Sequence, residues 1–207
     1  MSLYQLYLVT DDRQNLDTLV RVVESAIRGG VTIIQIREKH GDVRAFIQRA
    51  QAVKDLLVGT NIPLIINDRV DVALAVDADG LHLGQSDMPA RLARELLGPD
   101  KIIGLSVENE QQLHEACELP VDYIGLSAIF PTETKLDTQR FWGLDGISWA
   151  RKHYAKPIVA IGGLNQDNIQ TVINAGADGV ALVSAICSAE NPEKAARLLK
   201  SLLVAES

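Results

Sequence analysis

Two carboxylates stand where a metal ion could use them. Leu64-Ile65-Ile66 runs into Asn67-Asp68, and Gly80-Leu81-His82-Leu83 runs into Gly84-Gln85-Ser86-Asp87. All-apolar runs closed by turn residues predict strands buried on both faces. Val70 to Val76, between them, is apolar at helical spacing, so the stretch reads as strand, short helix and parallel strand. Both aspartates then leave the same edge of one sheet. Mg²⁺ takes one or two carboxylates and fills its other positions with water and phosphate, which makes Asp68 and Asp87 candidate Mg²⁺ ligands. The plainer alternative makes them helix caps or solvated turn residues.

A second group of residues suits phosphate. Gln35-Ile36-Arg37-Glu38-Lys39 closes another apolar run. Strand alternation puts Gln35, Arg37 and Lys39 on one side and Ile36 and Glu38 on the other. An Arg fork grips two oxygens and a Lys supplies a mobile point charge, as a diphosphate requires; a surface salt-bridge cluster is the alternative. Asn67 and Ser106 close two further strands, and a long connection, Ser127 to Asp145, adds Thr132, Thr134 and Lys135. That connection also carries Phe141-Trp142, and at the mouth of a barrel it is expected to act as a lid. Gly162-Gly163 and Val183-Ser184 each precede a helix start, where free N–H groups and close backbone approach favour an anion. One side therefore offers cations and metal acids, the other a neutral backbone cradle. This suggests two phosphorylated ligands bound together, one of them with Mg²⁺.

No Ser-His-Asp set, thiol nucleophile or zinc spacing is present. His82 lies inside a buried strand and reads as a hydrogen-bonded core residue. A site with phosphate grips and a metal but no evident general base points to leaving-group stabilisation.

These residues need a scaffold that gathers strand ends. Strands are predicted at Leu3–Val9, Val31–Ile36, Ile62–Ile66, Gly80–Leu83, Lys101–Leu105, Val121–Leu126, Pro157–Ile161 and Gly179–Val183. Helical spacing falls between them at Leu16–Ile27, Val43–Val58, Val70–Val76, Ala90–Leu97, Glu110–Cys117, Ile147–His153 and Asn165–Ala175, with a last helix at Pro192–Leu203. Strict alternation implies parallel strands with right-handed crossovers, and eight such units close a single (β/α)8 TIM barrel over residues 1–207. The alternative, an open doubly wound sheet, lacks its G-x-G-x-x-G turn: Thr10-Asp11-Asp12-Arg13 follows the first strand.

The 207 residues suffice for one such domain, and a formal charge of −7 argues against general nucleic-acid binding. No apolar run approaches the ~18 residues of a membrane span, and no signal peptide is visible, so a cytoplasmic protein acting on small molecules is expected. Cys117 and Cys187 lie far apart in apolar-periodic segments and read as small core residues. A homo-oligomer is left open.

The motifs together resemble the thiamine phosphate synthase (thiamine-phosphate pyrophosphorylase) family over nearly the whole chain. They are Tyr7-Leu8-Val9-Thr10-Asp11, Gln35 to Lys39, Ile66-Asn67-Asp68-Arg69, His82 to Asp87, Gly104-Leu105-Ser106, Pro131-Thr132-Glu133-Thr134-Lys135, Ile161-Gly162-Gly163 and Ala175 to Ile186. The resemblance implies a (β/α)8 barrel that condenses a hydroxymethylpyrimidine diphosphate with a thiazole phosphate, releasing pyrophosphate. It implies a dissociative reaction: pyrophosphate leaves with Mg²⁺, and the thiazole nitrogen captures the pyrimidine-methyl cation. It assigns Gln35, Arg37, Lys39, Asn67 and Lys135, with Ser106 beside them, to the pyrimidine diphosphate. Arg37, Lys39, Lys135 and Ser106 would be catalytic. It assigns Asp68 and Asp87 to Mg²⁺, and Thr132, Thr134, Gly163, Val183 and Ser184 to the thiazole phosphate. Ser127-Ala128 departs from the Gly-Pro often found there and leaves the phosphate and metal residues unchanged. A thiazole tautomerase of similar fold and a non-catalytic phosphate-ligand sensor are the rival readings.

Overall fold

The computed structural model describes residues 2–131 and 141–203. Eight strands follow one another as β1 (Leu6–Val9), β2 (Ile33–Ile36), β3 (Leu64–Asn67), β4 (Gly80–Leu83), β5 (Ile102–Val107), β6 (Tyr123–Ser127), β7 (Ile158–Ile161) and β8 (Gly179–Leu182). All neighbours pair in parallel, and β8 returns to β1, so the sheet is a closed barrel. The helices are α1 (Leu16–Gly29), α2 (Val43–Leu57), α3 (Val70–Ala75), α4 (Ala90–Leu97), α5 (Glu110–Cys117), α6 (Gly143–His153), α7 (Ile169–Asn174), α8 (Ser184–Cys187) and α9 (Pro192–Leu203). No helix among the described residues is long and apolar enough to cross a membrane.

Strand alternation divides the apolar residues into two cores. Leu6, Leu8, Ile34, Ile36, Leu64 and Ile66 point outward and meet the buried helix faces, such as Leu19, Val23 and Ala26 of α1. Tyr4, Tyr7, Val9, Ile33, Ile65, Tyr123, Val159 and Ala181 fill the barrel itself. The Tyr123 ring fits inside because a glycine faces it: a Cβ on Gly104 would lie 2.1 Å from Tyr123 Cζ.

The bottom of the barrel is laced by a repeated contact. The residue just before each even-numbered strand accepts, through its side chain, a backbone N–H near the start of the preceding odd-numbered strand. Thr32 Oγ1 takes Leu6 N at 3.0 Å and Asp79 Oδ2 takes Leu64 N at 2.8 Å. Asp122 and Asp178 take the N–H groups of Ile103 and Ile158, each at 2.7 Å. These N–H groups sit where the ladder has ended, so a side-chain acceptor replaces the missing carbonyl. Arg151 adds a 2.8 Å ion pair to Asp178. Asp178→Ala removes a charged acceptor and is expected to cost about 1.5–3 kcal/mol. At roughly 2–4 °C per kcal/mol for this size, the melting temperature should fall by about 3–12 °C. Calorimetric melting checks this; an unchanged midpoint would show the contact to be dispensable.

The structure differs from the sequence reading at several boundaries. The helix predicted over Leu16–Ile27 runs on to Gly29 as α1, and Gly30 takes the left-handed cap at φ 97°. α6 starts at Gly143 rather than Ile147, and β5 runs on through Ser106 because Ser106 and Val107 still pair with Gly125 and Leu126. The short α8 escapes prediction, since four residues carry no period. Cys187 is buried as expected, but Cys117 is exposed. It ends α5, where the helical phase turns Leu113 and Ala116 inward instead.

Candidate active site

The C-terminal ends of all eight strands form one rim, and the candidate residues in the described parts of the chain lie on it. Asp68 and Asp87 follow β3 and β4, which pair in parallel up to Asn67 and His82. Asp68 takes the left-handed conformation at φ 61°, which Asp tolerates better than most side chains, and its N–H donates to the His82 carbonyl at 2.8 Å. Asp87 folds back so that Gly84 N donates to its Oδ2 at 2.7 Å; a Cβ on Gly84 would come within 2.8 Å of that oxygen. Burial, and then Asp68, push the Asp87 pKa above the usual carboxylate range, with Lys39 opposing them. Lys39 Nζ forms an ion pair with Asp68 Oδ2. Lys39, Asp68 and Asp87 share a cavity of about 250 Å³ with Glu38, His40 and Phe46.

The segment after β2 is fixed from β1. Thr10 Oγ1 accepts from Arg37 N, and Asp12 Oδ2 accepts from Lys39 N, each at 3.1 Å. The Arg37 guanidinium stands 4.0 Å from the same Asp12 oxygen and remains partly exposed. Glu38 turns the other way and pairs with Arg49 of α2 at 2.7 Å. Gln35 points into the barrel, where its Nε2 donates to the Tyr7 hydroxyl at 2.8 Å.

Asn67 carries an unmet demand. It is only 6% exposed, yet its Nδ2 has no hydrogen-bond partner among the described residues. An amide N–H buried without an acceptor costs about 1–3 kcal/mol, so an acceptor bound at the rim would recover that loss.

The far side of the rim is built from backbone. Gly162 and Gly163 follow β7 at φ 98° and 68°, both in the left-handed region. Phe130 N donates to the Gly162 carbonyl at 3.1 Å, and a Cβ on Gly163 would lie 2.6 Å from the Pro131 carbonyl oxygen. The cradle is thus pressed against the start of the β6–α6 connection. Val183 precedes α8, whose first residue is Ser184. Thr132, Thr134 and Lys135 lie outside the described residues, so the lid expectation does too, apart from its edges. At one edge Trp142 caps α6 and stacks on Trp149, with ring centroids 6.2 Å apart.

Sequence reasoning missed Tyr7 and Tyr123. Their hydroxyls share a 2.8 Å hydrogen bond in the barrel interior; Tyr123 also contacts His82 Nδ1 at 2.8 Å, and His82 Nε2 contacts Ser106 Oγ at 2.9 Å. The available signal was a tyrosine at an inward position of a wholly apolar strand, since a buried hydroxyl calls for a partner. Gln85 is a second omission: its Nε2 donates to the Ser106 carbonyl at 2.5 Å and ties the β4 loop to β5.

Two hard oxygen donors lining one polar cavity fit Mg²⁺ with its remaining positions left to water and phosphate. Among the described residues no group of three or more His, Cys, Asp or Glu side chains gathers as a fuller ligand cage would.

Comparison with known proteins agrees with this arrangement. The family model described as thiamine monophosphate synthase matches residues 6–186. The thiamine-phosphate synthase of Vibrio campbellii is 65% identical over 203 residues, covering 98% of this chain and all of that protein. That of Vibrio parahaemolyticus is 64% identical with the same coverage. The solved thiamine phosphate pyrophosphorylase of Pyrococcus furiosus superposes with a TM-score of 0.87 at 37% identity, covering 97% of this chain and 96% of that one. The chain belongs to the thiamine monophosphate synthase family.

Proposed function

We propose that this protein is an Mg²⁺-dependent thiamine-phosphate synthase. It joins 4-amino-2-methyl-5-(diphosphooxymethyl)pyrimidine to 4-methyl-5-(2-phosphooxyethyl)thiazole, or to its carboxylated form with loss of CO2, giving thiamine phosphate and pyrophosphate. The observation that carries the reading is the cavity on the rim that Asp68 and Asp87 line together, with Lys39 paired to Asp68. Two carboxylates held together on an otherwise phosphate-seeking surface call for a divalent cation, and a diphosphate is the partner that such a cation brings.

Mg²⁺, held by Asp68 and Asp87, supplies charge neutralisation to the diphosphate when bound. The chain's own groups do the rest. Arg37 forks the diphosphate oxygens, and Lys39 adds a charge that strengthens as the leaving group becomes more negative. The Asn67 amide donates its unmatched N–H to an acceptor on the same ligand, with Gln35 and Ser106 beside it. The backbone at Gly163, Val183 and Ser184 holds the thiazole phosphate across the rim. The bond between the pyrimidine methylene carbon and the diphosphate oxygen breaks, its electron pair leaving with pyrophosphate. The thiazole nitrogen then supplies the pair for the new C–N bond. The resemblance adds Thr132 and Thr134 to the thiazole phosphate grip and Lys135 to the diphosphate grip. A cytoplasmic location and small-molecule substrates accord with this chemistry.

The test is to supply both substrates with and without Mg²⁺ and to follow pyrophosphate and thiamine phosphate. Equal amounts of both products, formed only with the metal, are expected. Isomerisation of the thiazole alone would identify a tautomerase, and binding without turnover would identify a sensor; either overturns the proposal.

A further inference from the structure

Five side chains form one hydrogen-bonded row through the barrel. It runs from Gln35 on β2 through Tyr7 on β1 and Tyr123 on β6 to His82 on β4 and Ser106 on β5. The contacts are 2.8, 2.8, 2.8 and 2.9 Å, within the range of good hydrogen bonds. Both ends are residues that the family resemblance assigns to the pyrimidine diphosphate. Tyr7 and Tyr123 are at most 1% exposed. A chain of this kind is costly to bury unless each member is satisfied, so its proton order matters.

We propose that Tyr7 and Tyr123 are positioning residues that hold His82 as the neutral Nε2–H tautomer and thereby keep the Ser106 hydroxyl proton free to be donated to the substrate. The role in catalysis rests on the reaction proposed above; the proton order does not.

The direction is set at the Gln35 end. The Gln35 amide nitrogen can only donate, so the Tyr7 oxygen accepts there and the Tyr7 proton goes to Tyr123. The Tyr123 oxygen has then accepted, and its own proton goes to His82 Nδ1. A ring nitrogen that accepts is bare, which leaves the imidazole proton on Nε2. That N–H donates to Ser106 Oγ, and Ser106 directs its hydroxyl proton onward to an acceptor. Burial raises the pKa of both tyrosines, so each keeps the proton the chain requires at neutral pH. Without the tyrosines His82 could take either tautomer. In the opposite one its Nε2 accepts from Ser106, and Ser106 can only accept from the substrate.

The experiment has two arms. In the first, the protein is labelled with ¹⁵N-histidine and its ring nitrogens are read by NMR without substrates; the His82 signal is identified by its loss in His82→Gln. A bare Nδ1 and a protonated Nε2 are expected, and Tyr123→Phe should remove the preference. A proton on Nδ1 in the unaltered protein, or an unchanged tautomer in Tyr123→Phe, overturns the proton order. The second arm measures turnover. Tyr123→Phe is expected to lower kcat/KM on the order of tenfold, as loss of an orienting partner commonly does. Tyr4→Phe, which removes a hydroxyl from the same ring stack but not from the row, should leave both tautomer and turnover unchanged. Ser106→Ala combined with Tyr123→Phe should cost clearly less than the product of the single losses, because both act through one hydroxyl. Fully multiplicative losses, or equal losses in Tyr4→Phe and Tyr123→Phe, would show that the tyrosines only fill space. The first arm needs no substrate, so it stands or falls separately from the assigned reaction.

Discussion

Asp87→Asn and Asp68→Asn should each reduce turnover on the order of 10³-fold. The basis is the several kcal/mol of charge stabilisation that a catalytic metal supplies, at about 1.4 kcal/mol per tenfold. Asparagine is the informative replacement at both positions. At Asp68 it tolerates the φ of 61° that alanine would strain to adopt. At Asp87 its side-chain oxygen can still accept the Gly84 N–H that shapes the turn. The fold should therefore survive, with melting temperatures near that of the unaltered protein. Calorimetric Mg²⁺ titration in the presence of pyrophosphate should show weakened metal binding in both variants. Full Mg²⁺-dependent turnover in either one removes that residue from the metal site. A chelator should abolish turnover of the unaltered enzyme, and added Mg²⁺ should restore it.

Gly104→Ala should damage the barrel from within. The added Cβ would sit 2.1 Å from Tyr123 Cζ, 2.4 Å from its hydroxyl oxygen and 2.5 Å from His82 Nδ1. None of these can retreat easily, since the Tyr123 ring is fully buried and packs against Tyr4 at 4.8 Å between centroids. Overpacking of this kind costs about 1–3 kcal/mol, occasionally more. At roughly 2–4 °C per kcal/mol, the midpoint should drop by about 2–12 °C. Turnover measured well below the new midpoint should also fall, because displaced tyrosine and histidine rings no longer orient Ser106. An unchanged melting curve would mean that the barrel interior has slack the structure does not show.

Much of the architecture was legible because the barrel has a regular grammar. Apolar runs such as Ile33–Ile36 and Leu64–Ile66 alternate with helical periods, and closed parallel pairing follows from the count of eight. Strand ends were harder to place, since pairing stops where a tilted neighbour diverges; Leu3 to Gln5 look like strand yet lie before the ladder of β1. The rim residues were visible because charged and amide groups interrupt apolar runs at fixed places. Tyr7 and Tyr123 stayed hidden because a tyrosine in an apolar run reads as one more hydrophobe, and only the closed topology brings β1, β4 and β6 across from one another. Cys117 was misread because one extra residue of helical phase turned it outward.

The acceptors at Thr32, Asp79, Asp122 and Asp178 divide the barrel in a way the simple alternation of strand and helix conceals. Each ties an odd strand to the even one after it, so the base consists of four equivalent two-strand quarters rather than eight equal staves. The fourfold order stops there. At the opposite end the first quarter presents Arg37 and Lys39, the second Asp68 and Asp87, the third Ser106, and the last its paired glycines and Ser184. The molecule is near-symmetric where it is held together and wholly asymmetric where ligands meet it. Exchanging the acceptor-bearing turn before one even strand for that before another should therefore be far better tolerated than any exchange between quarters at the rim.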